Sequence, residues 1–154
     1  MRELLKNNTH AACIDAVIAA DSIHASILKQ GSRRIVDATQ MRPFLNFARL
    51  STTGQKVFII SHSQLPVEPY ASTTETTHYL LRQLALTERG AKPQAHEFAP
   101  LTLTKRNGFH AAGYPGEDGA AHLQHLRNIA VLWSHLKQHR HRDGSTSPDA
   151  STER

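Results

Sequence analysis

Residues 56–63, Lys-Val-Phe-Ile-Ile-Ser-His-Ser, constrain the fold more than any other stretch of the chain. Val57 to Ile60 are apolar without alternation, rich in β-branched and aromatic side chains, with Gly54-Gln55 before them and Gln64-Leu65-Pro66 after. Such a run predicts a strand covered on both faces, the habit of parallel strands in α/β proteins. It ends abruptly in Ser61, His62 and Ser63. Ligands in open α/β sheets bind beyond the carboxyl ends of the strands, so this polar tip marks the rim of a candidate site.

A second run of the same kind, Ile14 to Ala20, ends in Asp21, Ser22, Ile23 and His24 and predicts a second buried parallel strand. Before it, residues 2 to about 10 read as the end of a helix stopped at Asn7-Asn8, as though the chain begins partway into a fold. Residues 29–39, with Gly31 and Ser32, read as a surface connection. From about Thr39 to Gly54 a helix is expected, with Pro43 tolerated in its first turn and an apolar stripe of Met41, Phe44, Phe47 or Ala48, and Leu50. Strand, helix and strand then form a unit whose crossover should be right-handed.

After the proline-bearing loop 64–71, Ser72-Thr-Thr-Glu75 matches a capping box opening a helix to about Thr87, with Tyr79, Leu80, Leu84 and Leu81 inward. The bland role of Ser72 and Glu75 as a cap is preferred to a catalytic one. Gly90 to Ala99 reads as a loop. Leu101 to Thr104 and Phe109 to Tyr114 then read as a hairpin about Asn107-Gly108. Asp118 is the N-cap of a last helix whose inward face is expected to be His122, Leu126, Ile129, Trp133 and Leu136, flanked by Leu123 and Ala130. Residues 1–140 are therefore expected to form one domain, and 141–154, with no apolar residue beyond Ala150, a disordered tail.

The fold class is α/β, a mostly parallel sheet flanked by helices in three layers. With 154 residues, 39% hydrophobic and 20% charged, this is an ordinary globular composition with room for a real core. No apolar run approaches the roughly 20 residues that span a bilayer, and the first residues, Met1 to Asn8, lack the apolar core of a secretory signal. No membrane partner is expected, and the cytoplasm is the default location. One cysteine, Cys13, excludes an internal disulfide. The net charge of +5 invites nucleic acid, but Arg33-Arg34, Lys105-Arg106 and Lys137 to Arg142 are scattered and aromatics amount to 6%. A binding face needs clustering, so nucleic acid is not the favoured partner; such binding would weaken steeply with salt.

The polar residues converge on one sheet edge: Asp21 with Ser22 and His24, Ser61-His62-Ser63, and His122 with His125 after the Gly-Tyr-Pro-Gly turn. A histidine entering a helix there, oriented by an aspartate at a neighbouring strand end, is the acid and base of a hydrolytic triad. Ser22, His24, Ser61, His62, Ser63 and His125 are expected to line the pocket. Neither Ser61 nor Ser63 makes a nucleophile, because no glycines flank them and Pro66 blocks the helix that a nucleophile elbow requires. Zinc held by His24, His62 and His122 has no H-E-x-x-H-type spacing behind it, and the i, i+4 pair His135/His139, with His141, reads as a solvated helix end; no metal or cofactor is expected.

Asp15 to Ser26, Ser61 to Glu75 and Gly113 to Leu126, in an order of strand, helix, strand, helix, strand, histidine-bearing turn and helix, resemble the C-terminal half of bacterial α/β-hydrolase-like proteins. The resemblance covers roughly residues 2 to 136 on the strand pattern. It implies a serine-esterase-type chemistry in which His122 is the base and Asp21 the acid, acting on a small ester or amide. In that family the nucleophile sits in Gly-x-Ser-x-Gly, and the chain order is serine, acid, histidine. The chain contains no Gly-x-Ser-x-Gly, so the serine is expected to lie just before Met1, on the elbow preceding the first helix. Asp21 precedes His122 as required, although the acid in this fold more often follows the next strand, where the chain offers Ser61-His62-Ser63. Without a nucleophile, the 154 residues are expected to show no ordinary esterase turnover. A non-catalytic α/β interaction module, self-associating through an exposed sheet edge, is the alternative.

Overall fold

The computed structural model describes residues 1–92 and 97–133. Five strands form the main sheet: β1 (Ala16–Ala20), β4 (Val57–His62), β8 (Phe109–Gly113), β7 (Thr102–Arg106) and β6 (Arg89–Gly90), in that spatial order. β1, β4 and β8 are parallel neighbours, β7 returns antiparallel to β8, and β6 antiparallel to β7, so β7 alone runs against the rest. A smaller sheet orders β3 (Arg33–Val36), β2 (Ala25–Gln30) and β5 (Tyr70–Ala71). The chain is a mixed α/β fold.

Successive side chains of a strand point to opposite faces, and β4 uses both. Phe58 and Ile60 enter the larger core with Val17, Ala19, Phe109 and Ala111, under α3 (Ala38–Thr52) and α4 (Thr73–Gln83). Phe58 meets Phe47 of α3 and Phe109 of β8 edge to face, at centroid distances of 5.7 and 6.1 Å. Burying side chains of this size stabilises the fold by about 1.5–3 kcal/mol each. Ile59 enters the opposite core with Ala20, Phe98, Ala112, Tyr114 and Leu132.

The helix starts follow local chemistry. Asp37 caps α3 by accepting from Thr39 and Gln40, and Pro43 sits early in that helix without interrupting it. Ser72 and Glu75 close a reciprocal capping box on α4, and Asp118 accepts from Ala121 to open α5 (Gly119–Arg127). At the N-terminus, Asn7 divides the expected single helix into α1 (Arg2–Lys6) and α2 (Asn8–Cys13), capping the second.

Three expectations need correction. The supposed surface connection at 29–39 contains β3 and part of β2, which pair as a hairpin about Gly31, whose φ of +61° suits a tight turn. Their side chains are mostly exposed, so the strands lack the apolar signature of the main sheet. The expected helix to Thr87 ends at Gln83, where Ala85 turns left-handed. The inward face of the last helix is also rotated: His125 and Leu132 are fully buried, while Leu123, Leu126, Ile129 and Trp133 are about half exposed. Residues 119–127 are helical, a turn follows at 128, and helix resumes over 129–133, so one continuous phase does not describe the segment. Leu136, His135, His139, His141 and the tail 141–154 lie outside the described residues.

Candidate functional site

Asp21 leaves β1 with φ +46°, in the left-handed region that aspartate tolerates better than most residues. Its amide donates to the Ser61 carbonyl at 2.9 Å, continuing the β1–β4 ladder one step past the strand. The carboxylate then turns toward the next strand's tip. Ser63 donates to it twice, from Oγ to Oδ2 at 2.6 Å and from the amide to Oδ1 at 3.2 Å. Burial pushes the Asp21 carboxyl up, but the hydrogen bonds from Ser63 and His122 outweigh it and hold the group below its ordinary range.

His122, in the first turn of α5 and 101 positions away, places Nδ1 3.0 Å from Asp21 Oδ2. An ionised carboxylate only accepts, so Nδ1 carries the hydrogen. When the ring is neutral, Nε2 then holds the lone pair. Among the described residues Nε2 has no hydrogen-bond partner. His122 is part-exposed and, with Asp21, His24, Leu65, Val67, Tyr70, Ser72 and Thr73, lines a pocket of about 210 Å³. Oriented, unpartnered and facing a pocket, this is the arrangement a general base requires.

The remaining candidates divide between the pocket and its support. His24 lines the pocket, donates from Nδ1 to the Ala71 carbonyl at 3.3 Å and meets Tyr70 edge to face. Ser22 is exposed and absent from the lining. Ser61, His62, Ser63 and His125 are buried behind the site rather than along its wall. Ser61 Oγ lies 2.8 Å from His125 Nδ1, and that ring sits edge-on to the stacked pair Phe98 and Tyr114. Burial pushes His125 down to about 4 and the Tyr114 hydroxyl up to about 12. His62 turns to the α4 side and bonds Thr74 and Glu88.

Sequence reasoning missed Arg34, which ties one wall of the pocket in place. Its guanidinium donates to Glu75 at 3.0 Å, to the Tyr70 carbonyl at 3.2 Å and to Glu68, fastening the loop that carries Leu65, Val67 and Tyr70. The Arg33-Arg34 pair was visible, but its partners lie 33 to 41 positions away, beyond any local pattern.

No group of three or more His, Cys, Asp or Glu among the described residues is disposed to hold a metal ion. No described helix is long and apolar enough to cross a membrane. Comparison with family models, curated proteins and solved structures returns no match to the chain.

Proposed function

We propose that the chain is an α/β-hydrolase-like domain related to serine esterases, in which His122 is the general base and Asp21 the acid that orients it. The observation that supports this reading is the 3.0 Å hydrogen bond from His122 Nδ1 to a buried carboxylate, at the carboxyl edge of the parallel strands and open to a pocket. In the reaction such a pair serves, a serine hydroxyl attacks the acyl carbon of an ester or amide. Nε2 takes the hydroxyl proton and later gives it to the leaving group, while Asp21 stabilises the imidazolium between the two steps.

The described residues offer no such serine. Ser63 donates to Asp21 and is held behind the carboxylate, and Ser72 is engaged in the cap of α4. On this reading the nucleophile is not among the described residues, and the 154 residues contain no Gly-x-Ser-x-Gly. The expected outcome is twofold. A downfield imidazole N–H signal from His122 should appear in proton NMR and vanish in Asp21→Asn. The purified chain should hydrolyse p-nitrophenyl acetate no faster than an exposed histidine does. An absent signal sinks the acid–base pair; a serine labelled by a fluorophosphonate in a His122-dependent manner sinks the missing nucleophile.

A second reading, a non-catalytic module that pairs its sheet with another chain, draws on β1. Among the described residues this strand is hydrogen-bonded on one side only, and Ala-Val-Ile-Ala-Ala contains no charge or proline to protect its other side.

A further inference from the structure

The tip of β4 carries a second cluster of ionisable groups, on the sheet face away from Ser61 and His125. His62 Nδ1 lies 2.9 Å from Thr74 Oγ1, and His62 Nε2 lies 3.1 Å from Glu88 Oε1. Glu88 also meets His78 Nε2 through Oε2 at 2.9 Å and accepts from Thr102 Oγ1 at 3.2 Å.

Counting hydrogens assigns the protons. Thr74 Oγ1 donates to the main-chain carbonyl of Ser63, which has no hydrogen to give in return. The single hydroxyl hydrogen of Thr74 is used there, so toward His62 its oxygen only accepts, and Nδ1 carries a hydrogen. At the other ring nitrogen an ionised carboxylate likewise only accepts, so Nε2 carries a hydrogen as well. A ring with hydrogens on both nitrogens is an imidazolium.

We infer that His62 is a buried imidazolium paired with Glu88, and that it is a positioning residue: through Thr74 it fixes the Ser63 main chain, whose amide and hydroxyl hold Asp21 beneath His122.

Three observations support the assignment. The hydrogen bond from His62 outweighs burial and, with His78, holds the Glu88 carboxyl down at about 2, so the acceptor is a carboxylate rather than a neutral acid. Gly113 leaves room for the ring: a Cβ there would lie 2.9 Å from His62 Cε1 and 2.5 Å from Thr102 Oγ1. The surroundings also favour one positive charge. Among the described residues, α4 presents Thr74 and His78, the segment before β6 presents Glu88, and β7 presents Thr102. From α5, across the sheet, comes His125, which burial keeps neutral.

The brace has a sign in pH. The stabilisation that its carboxylate contributes is full above pH 4.5 and is lost as pH falls toward about 2, where Glu88 takes up its proton. The placement of Asp21 by Ser63 is geometry, and stands whether or not His122 serves as a base.

The test is nitrogen–proton correlation NMR of the histidine rings in the full chain at about pH 7, with His62 assigned by comparison with His62→Gln. Two protonated nitrogens are expected on His62, and a single protonated nitrogen overturns the inference. In Glu88→Gln, His62 should fall to one hydrogen, on Nδ1, whereas His78→Ala should leave both in place. A doubly protonated His62 that survives Glu88→Gln overturns the ion pair. In Glu88→Gln the His122 N–H signal should weaken together with the loss of the second His62 proton; a His122 signal indifferent to that loss overturns the positioning role.

Discussion

His125 depends on staying neutral. Its ring is fully buried against Phe98 and Tyr114, with Ser61 as its polar partner, and its Nε2 has no hydrogen-bond partner among the described residues. Burial pushes it from 6.5 down to about 4; Asp21 pulls the other way, and His62 and then His122 add smaller downward pushes. Between those values the unfolded chain binds a proton that the folded chain refuses. Stability is therefore full above pH 6.5 and falls as the pH drops to about 4. The complete loss approaches about 3 kcal/mol at 1.36 kcal/mol per unit. Urea unfolding across this range should show the slope, and His125→Gln, which keeps a polar group near Ser61 without titrating there, should flatten most of it. An unchanged slope would assign the acid sensitivity elsewhere. Asp21 and His122 were legible because each is a polar residue at a predicted chain reversal, where α/β geometry brings loops together. His125 was placed only as a neighbour of His122, because the helical phase was drawn through Leu126 and Trp133, which are exposed. Glu88 gave no signal at all, since its partners come from β4, α4 and β7 and share no spacing.

Elements announced themselves where local chemistry and burial agreed. β4 and β1 are continuous apolar runs because helices cover much of both faces, and the Asn107-Gly108 turn falls where the pair predicted it, with Asn107 left-handed at φ +49°. The β2–β3 hairpin was hidden because it contributes little to the core; its strands exist by backbone pairing and by the grip of Arg34 on Glu75 and Glu68. The start of α4 is the strongest local feature, and it borders the pocket. Ser72→Ala removes the side-chain half of the capping box and should cost about 1 kcal/mol. Thermal unfolding should register this as a fall of roughly 2–4 °C for a chain of this size. Glu75→Ala should cost more, because it removes both the reciprocal cap and the Arg34 ion pair. If the two variants lose equal stability, Arg34 contributes nothing through Glu75.

At the scale of the molecule, the arrangement around β1 is asymmetric. The amide of Asp21 reaches Ser61, and the carbonyl of Asp15 accepts from Val57, so the odd-numbered residues of this strand face β4. The peptide groups of Ala16, Ile18 and Ala20 therefore turn to the edge that is unpaired among the described residues. On the α5 side of the sheet, Ala16, Ile18 and Val57 are only partly buried, so the open edge adjoins an apolar surface. Natural edge strands are commonly protected by lysine, proline or a bulge, and β1 has none of these within Ala16–Ala20. The interaction reading and the hydrolase reading meet here, because a further strand beside β1 would lie next to Asp21. An unprotected edge predicts that purified chain associates: its apparent mass by size-exclusion chromatography should rise as concentration is raised, and a charge introduced at the edge by Ala16→Lys should return it to monomer. Association that survives Ala16→Lys would move the contact to the exposed Leu123, Leu126, Ile129 and Trp133 face. A chain that stays monomeric at every concentration would instead show that this edge is not free to pair in solution.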